Sequence, residues 1–312
     1  MTGIAIGDIS QEWAETAIAI PGADQQTLYC DVVAWAALAA TLAGDFGPAE
    51  VLVARALAAQ TALGTSNASA LPARGALALF RGKAEEARTF AQAYVDVARA
   101  SEDPYELADA LILLAGSFAD SDARIATLEE AIRVARDAGI ASALSIALPF
   151  LAGSLPIDES DRALALIDEA IEVGLRVGDR RGVALAIGWK GWLAFRRGEW
   201  TTALRAALDA AEQLLEFGGL VTIKEFFHLG GAALAALGHN DAAAVLIGRA
   251  DSLSARVGTH IWLEIITATD AALLEALGEQ RVATLAAQGA AFDNPEAVVY
   301  LRAQTEAVLR EN

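Results

Sequence analysis

Small apolar residues return along the chain at fixed intervals, separated by polar stretches that carry a glycine. Between residues 180 and 219 the set is Gly191, Gly198, Ala203 and Ala210, so a small residue is followed by others 7, 12 and 19 positions on. The same skeleton recurs at Ala37, Gly44, Ala49 and Ala56, at Gly75, Gly82, Ala87 and Tyr94, and at Gly231, Gly238, Ala243 and Ala250. Small residues are needed where two helices pack so closely that a larger side chain would clash, and a glycine between them lets the backbone turn. The pattern therefore predicts antiparallel helix pairs, each joined by a tight turn such as Arg197-Gly198-Glu199.

Residues 8–20 read as a short opening helix with Asp8 or Ser10 as N-cap and Pro21 as its stop. Trp13 is expected to cover the open end of the first pair, because a terminal repeat has no neighbour for its apolar face. Pairs then follow at 23–43 with 48–63, 67–80 with 84–100, 104–118 with 122–137, and 141–153 with 160–178. The stretch 180–219 is the fifth pair, 220–237 with 240–257 the sixth, and a seventh begins at Thr259. Asp103-Pro104 supplies an N-cap and a proline at the first helical position, and Pro72 falls where a missing N–H costs least. Two residues break the pattern: Arg124 replaces a small residue in the third pair, and Pro149 predicts a kink or early stop in the fourth. Gly64, Gly139, Gly178, Gly218 and Gly258 read as helix stops. Beyond Gly278 the beat fails, and 280–290 with 294–309 are read as two closing helices, with Asn294 as N-cap and Pro295 as the first helical residue. The expected organisation is a single domain with an N-terminal cap at 1–22, repeats at 23–277 and a C-terminal cap at 278–312.

This skeleton resembles the tetratricopeptide repeat (TPR). Second helices open at positions 49, 87, 124, 163, 203 and 243, spacings of 38, 37, 39, 40 and 40. That period sits a little above the roughly 34 residues of the usual repeat and implies slightly longer helices in the same unit. The implied fold is all-α, a TPR-like α–α superhelix, or solenoid, of about seven helix pairs with terminal capping helices. Composition agrees: 55% of the residues are hydrophobic, alanine dominates them, and there are only 7 prolines, which favours long, closely packed helices over sheets.

Charge narrows the partners. The net charge is −18, and 20 of the 23 basic residues are arginine. Direct nucleic-acid binding depends largely on basic charge, so it is not expected of this chain. No basic region followed by an apolar run opens the chain, and no apolar stretch reaches the roughly 18 uninterrupted residues of a membrane span, so the expected location is cytoplasmic. Cys30 is the one cysteine, set in a helical context as a small core residue.

Candidate chemistry is sparse. Glu225 and His228 lie one helical turn apart, the spacing of a di-metal half-site, and His260 with Glu264 would have to complete it. One half-site is not a site, so these are read as surface or groove residues and no metal is expected. The chain has no Gly-x-x-x-x-Gly-Lys-Ser/Thr loop and no Gly-x-Ser-x-Gly, so neither a cofactor nor a catalytic residue is expected.

The TPR resemblance implies which residues face a ligand. In that family the first helix of each pair lines the concave groove, through positions six and three before the small residue and one and five after it. Applied to Ala37 the rule gives Asp31, Ala34, Leu38 and Leu42; applied to Ile112 it gives Glu106 and Asp109. Gly191 gives Trp192 and Arg196, and Gly231 gives Glu225 and His228. Trp35 falls beside a groove position and is assigned to packing, as are Trp189 and Trp200. The expected groove is acidic with some leucine surface and one tryptophan, suited to a neutral or cationic, partly apolar ligand or a peptide segment.

The Ala43-Gly-Asp-Phe-Gly-Pro-Ala-Glu50 turn, Glu275-Ala-Leu-Gly, Ala287-Gln-Gly-Ala-Ala-Phe and Pro295-Glu-Ala-Val-Val resemble the C-terminal TPR-like half of large actinobacterial regulators. These are STAND-type signalling ATPases similar to LuxR-type large regulators. The resemblance implies a helical sensor that binds an inducer or a partner protein and restrains a nucleotide-binding module, which this chain lacks. The function expected is that of a non-enzymatic sensor or interaction domain of a signalling or transcriptional regulator. The alternative is a constitutive scaffold that docks a protein and has no small-molecule ligand; a homodimer is also open.

Overall fold

A computed structural model describes residues 11–64, 67–217, 220–254 and 263–311. Among them are sixteen α-helices, three short 3-10 turns and no strand, in an all-α helical-repeat solenoid. No helix among the described residues is long and apolar enough to cross a membrane. The chain divides into two compact units, Met1–Leu155 and Pro156–Asn312.

The first unit contains α1 (Gln11–Ile18), α2 (Leu28–Ala43), α3 (Phe46–Leu63), α4 (Leu71–Phe80), α5 (Ala84–Ser101), α6 (Pro104–Gly116), α7 (Ser121–Asp137) and α8 (Ala141–Ser154). Each first helix packs on its own second helix and on the first helix of the next pair, as α2 does on α3 and α4, and α6 on α7 and α8. Ala37, Ala49 and Ala56 are fully buried in these contacts. A Cβ on Gly75 would lie 2.7 Å from Leu113 Cδ2, so a larger residue at this skeleton position would displace the Leu113 side chain. Gly44 and Gly82 hold the turns at φ 86° and 72°, a region that penalises any residue with a Cβ.

Several boundaries differ from the sequence reading for identifiable reasons. Residues 23–43 are not one helix: Ala23–Gln25 is a separate 3-10 turn, and α2 starts at Leu28. Residues 67–80 divide likewise into a 3-10 turn, Asn67–Ala70, and α4, with Pro72 in the first turn of the helix. Pro149 stops nothing, since α8 continues to Ser154. Leu144, Ala147, Leu148, Pro149, Leu151 and Ala152 are all buried there, and packing around most of the helix outweighs one missing N–H. Arg124, the misfit of the third pair, reaches back to donate to the Phe118 carbonyl.

The second unit contains α9 (Ser160–Val177), α10 (Arg180–Arg196), α11 (Trp200–Phe217), α12 (Leu220–Ala236), α13 (Asn240–Ser254), α14 (Leu263–Leu277), α15 (Glu279–Ala290) and α16 (Asn294–Glu311). Here Cβ atoms on Gly191 and Gly231 would lie 2.7 Å from Ala206 Cβ and 2.6 Å from Ile247 Cγ1. Helix α15 packs on α13 almost backbone to backbone: a Cβ on Gly289 would sit 1.7 Å from the Val245 carbonyl oxygen. Helix α16 packs against α11 and α13. Its N-cap is Asp293 and not Asn294. Asp293 Oδ1 accepts the Glu296 N–H at 2.8 Å while Glu296 Oε2 accepts the Asp293 N–H at 2.9 Å, a reciprocal capping box. Asn294 is instead buried, and its Oδ1 takes Arg249 Nη2 at 2.6 Å. Gly218, Gly258, His260 and the start of the seventh pair at Thr259 lie outside the described residues, as does the Trp13 side chain.

Candidate functional site: an acidic, aromatic cavity in the first unit

The first unit contains a half-open cavity of about 560 Å³, within the size range of small-molecule sites. Helix α2 supplies Asp31, Ala34, Trp35 and Leu38, which share one face of the helix at spacings of three and four. Helix α6 supplies Tyr105, Glu106 and Asp109 on one face near its start. Tyr94 and Val97 of α5 complete the wall, with Ala68, Ser69 and Pro72 at the entry to α4. Helix α4, which follows the 3-10 turn Asn67–Ala70, has 10 residues against 16 in α2 and 13 in α6.

Four residues named by the groove rule, Asp31, Leu38, Glu106 and Asp109, are thus brought together on one cavity wall. The assignment of Trp35 to packing is corrected: it is 47% exposed and lines the cavity. Tyr94 stands where the other skeletons have Ala56, Ala210 and Ala250. Its ring is buried, and its hydroxyl donates to Asp109 Oδ2 at 3.5 Å. Cys30 is buried, with an edge on the cavity.

The electrostatics of this wall are one-sided. Asp103, Asp31, Glu106 and Asp109 line it, and none of the described lining residues is Lys, Arg or His. Asp103 is satisfied as the N-cap of α6, accepting the Tyr105 N–H at 2.8 Å. Burial pushes the Asp109 carboxyl up to about 6; the Tyr94 hydroxyl opposes this and the Glu106 charge adds to it. Burial also drives the Tyr94 phenol well above its ordinary range, reinforced by Asp109 and Glu106.

The other four groove candidates lie in the second unit. Trp192 meets Trp189 edge to face at 5.4 Å, and the Arg196 guanidinium lies 4.6 Å over the Trp192 ring. Trp189 is buried as expected, whereas Trp200, also assigned to packing, is 41% exposed. Glu225 and His228 were expected to face a groove; each is only 2% exposed. Lys224 Nζ lies 2.7 Å from Glu225 Oε1, and His228 Nε2 lies 3.6 Å from Asp251 Oδ1 and 3.5 Å from Ser254 Oγ of α13. Burial and the nearby Asp270 charge push the Asp251 carboxyl up to about 6, with Lys224 opposing. Among the described residues no group of three or more His, Cys, Asp or Glu side chains is placed to hold a metal ion. No family model matches the chain, and no curated protein matches it in sequence.

Proposed function

We propose that the chain is a non-enzymatic TPR-like binding module, the cytoplasmic sensor or interaction domain of a signalling or transcriptional regulator, and that its ligand occupies the cavity between α2 and α6. The observation that carries this reading is the cavity itself, about 560 Å³ with an exposed tryptophan on its wall. A solvated tryptophan ring beside apolar and acidic groups is poised to gain contact area when a ligand enters. The regulator context rests on the sequence resemblance of the turn at 43–50 and the closing motifs. In this mechanism an occupant bridges α2 and α6 across the short α4, and the altered packing of these helices is passed to an attached domain.

Native mass spectrometry of freshly purified protein tests the reading. A small-molecule mass that is lost on denaturation, and is absent from the Trp35→Ala protein, is the expected result. A chain that co-purifies only with another protein, or with a second copy of itself, would assign it the role of a docking scaffold instead.

A further inference from the structure

The cavity wall carries a specificity that its volume alone does not. Solvated carboxylates on a helical surface are unremarkable, but here they share a half-open cavity with three aromatic side chains, Trp35, Tyr94 and Tyr105. The charge is not balanced from within the wall, because the described lining residues include no cation. The charged groups acting on Asp109 and on Tyr94 are themselves acidic, Glu106 foremost for Asp109 and Asp109 for Tyr94. Asp31 of α2 and Asp109 of α6 both line the cavity, and the carboxylate whose charge acts on Asp109 is its neighbour Glu106. Leu38 and Val97 add an apolar portion.

We propose that this cavity selects a small organic ammonium ion with an apolar body, its cationic nitrogen held by Asp109 and its neighbour Glu106 and its body lying against Trp35 and Leu38. The inference rests on the reading of the cavity as the binding site. An ammonium supplies the positive charge that the wall lacks, and its N–H donors match carboxylates that can only accept. The aromatic faces favour the same charge through their quadrupoles. A carboxylate or phosphate ligand would meet like charge with no donor cation, and a neutral ligand would leave the wall charge uncompensated.

The test is isothermal titration of the full chain with three probes of similar size: 2-phenylethylammonium, the neutral 3-phenylpropanol and the anion 3-phenylpropionate. The expected result is that the ammonium binds about 10-fold or more tighter than the alcohol, the worth of one charge-assisted hydrogen bond, and that the anion does not bind. Asp109→Asn should bring the ammonium-to-alcohol ratio close to unity while the circular dichroism spectrum is kept. If that variant fails to fold, Glu106→Gln makes the same comparison. Equal affinities for ammonium and alcohol, both lost in Trp35→Ala, would overturn the cation selectivity and leave the cavity as the binding site. Absence of binding by all three probes at millimolar concentration would overturn both. The blocked peptide acetyl-Gly-Lys-Gly-amide separates the sources of an ammonium group: tighter binding of it than of 2-phenylethylammonium would assign the cavity to a peptide and overturn the small-molecule assignment.

Discussion

Asp109 illustrates a residue kept where it is unfavourable for folding. Its carboxyl is raised from 3.8 to about 6 in the folded chain, so the folded state holds a proton that the unfolded chain has already released. This contribution to stability is fully present below about pH 4 and is lost as pH rises through about 6. Asp109→Asn abolishes that slope, and the variant should gain ~1–2 kcal/mol on the parent between about pH 4 and about pH 7. Urea unfolding at both pH values measures it, and a difference independent of pH would show that the carboxylate carries no such penalty. The buried pair in α12 behaves in the opposite sense. Lys224 and Glu225 have side chains 1% and 3% exposed, and among the described residues Glu225 Oε2 has no hydrogen-bond partner. Lys224→Met leaves that carboxylate uncompensated and should cost ~3–5 kcal/mol, whereas Lys224→Met with Glu225→Leu should recover most of the loss. Denaturant midpoints of the two variants decide it, and equal midpoints would deny the coupling.

Among the helices, closeness of approach is set by single positions. Gly248 and Gly289 let α13 and α15 cross nearly in backbone contact, with a Cβ on Gly248 only 2.2 Å from the Ala286 carbonyl oxygen. Gly289→Ala must push the helices apart and is expected to destabilise the protein by about 3 kcal/mol, the upper range of overpacking. Hydrogen exchange should then quicken in α15 before it does in α10. Uniform quickening throughout the second unit would mean that α15 is not an independently yielding element. The same dependence on neighbours explains α8, where the sequence argues for a stop at Pro149 and surrounding apolar contacts carry the helix five residues further to Ser154.

Charge acts on the molecule as a whole. With 41 acidic against 23 basic residues, the folded chain repels itself. Ion pairs such as Arg281 with Asp241 and Arg302 with Glu212 are solvent-exposed and offset little of this. Raising sodium chloride from about 10 mM to about 0.5 M shortens the Debye length from about 30 Å to a few ångström. The melting temperature should rise by several degrees, as scanning calorimetry would record. A fall would mean that specific ion pairs outweigh the general repulsion.

The sequence by itself determined the helices, their pairing and their turns, because these follow from local sterics: small residues at fixed intervals, and glycines at φ values closed to other residues. It also held one unread signal of the cavity, Tyr94 in place of an alanine. Only the tertiary structure decided which side chains share a space. Trp35 and Trp200 are exposed while Glu225 and His228 are buried, although helical spacing argues the reverse in each case. Exposure depends on what the neighbouring helices cover, and the cavity draws its lining from α2, α5, α6 and the entry to α4 together. A rule counted from one residue within its own helix contains neither fact.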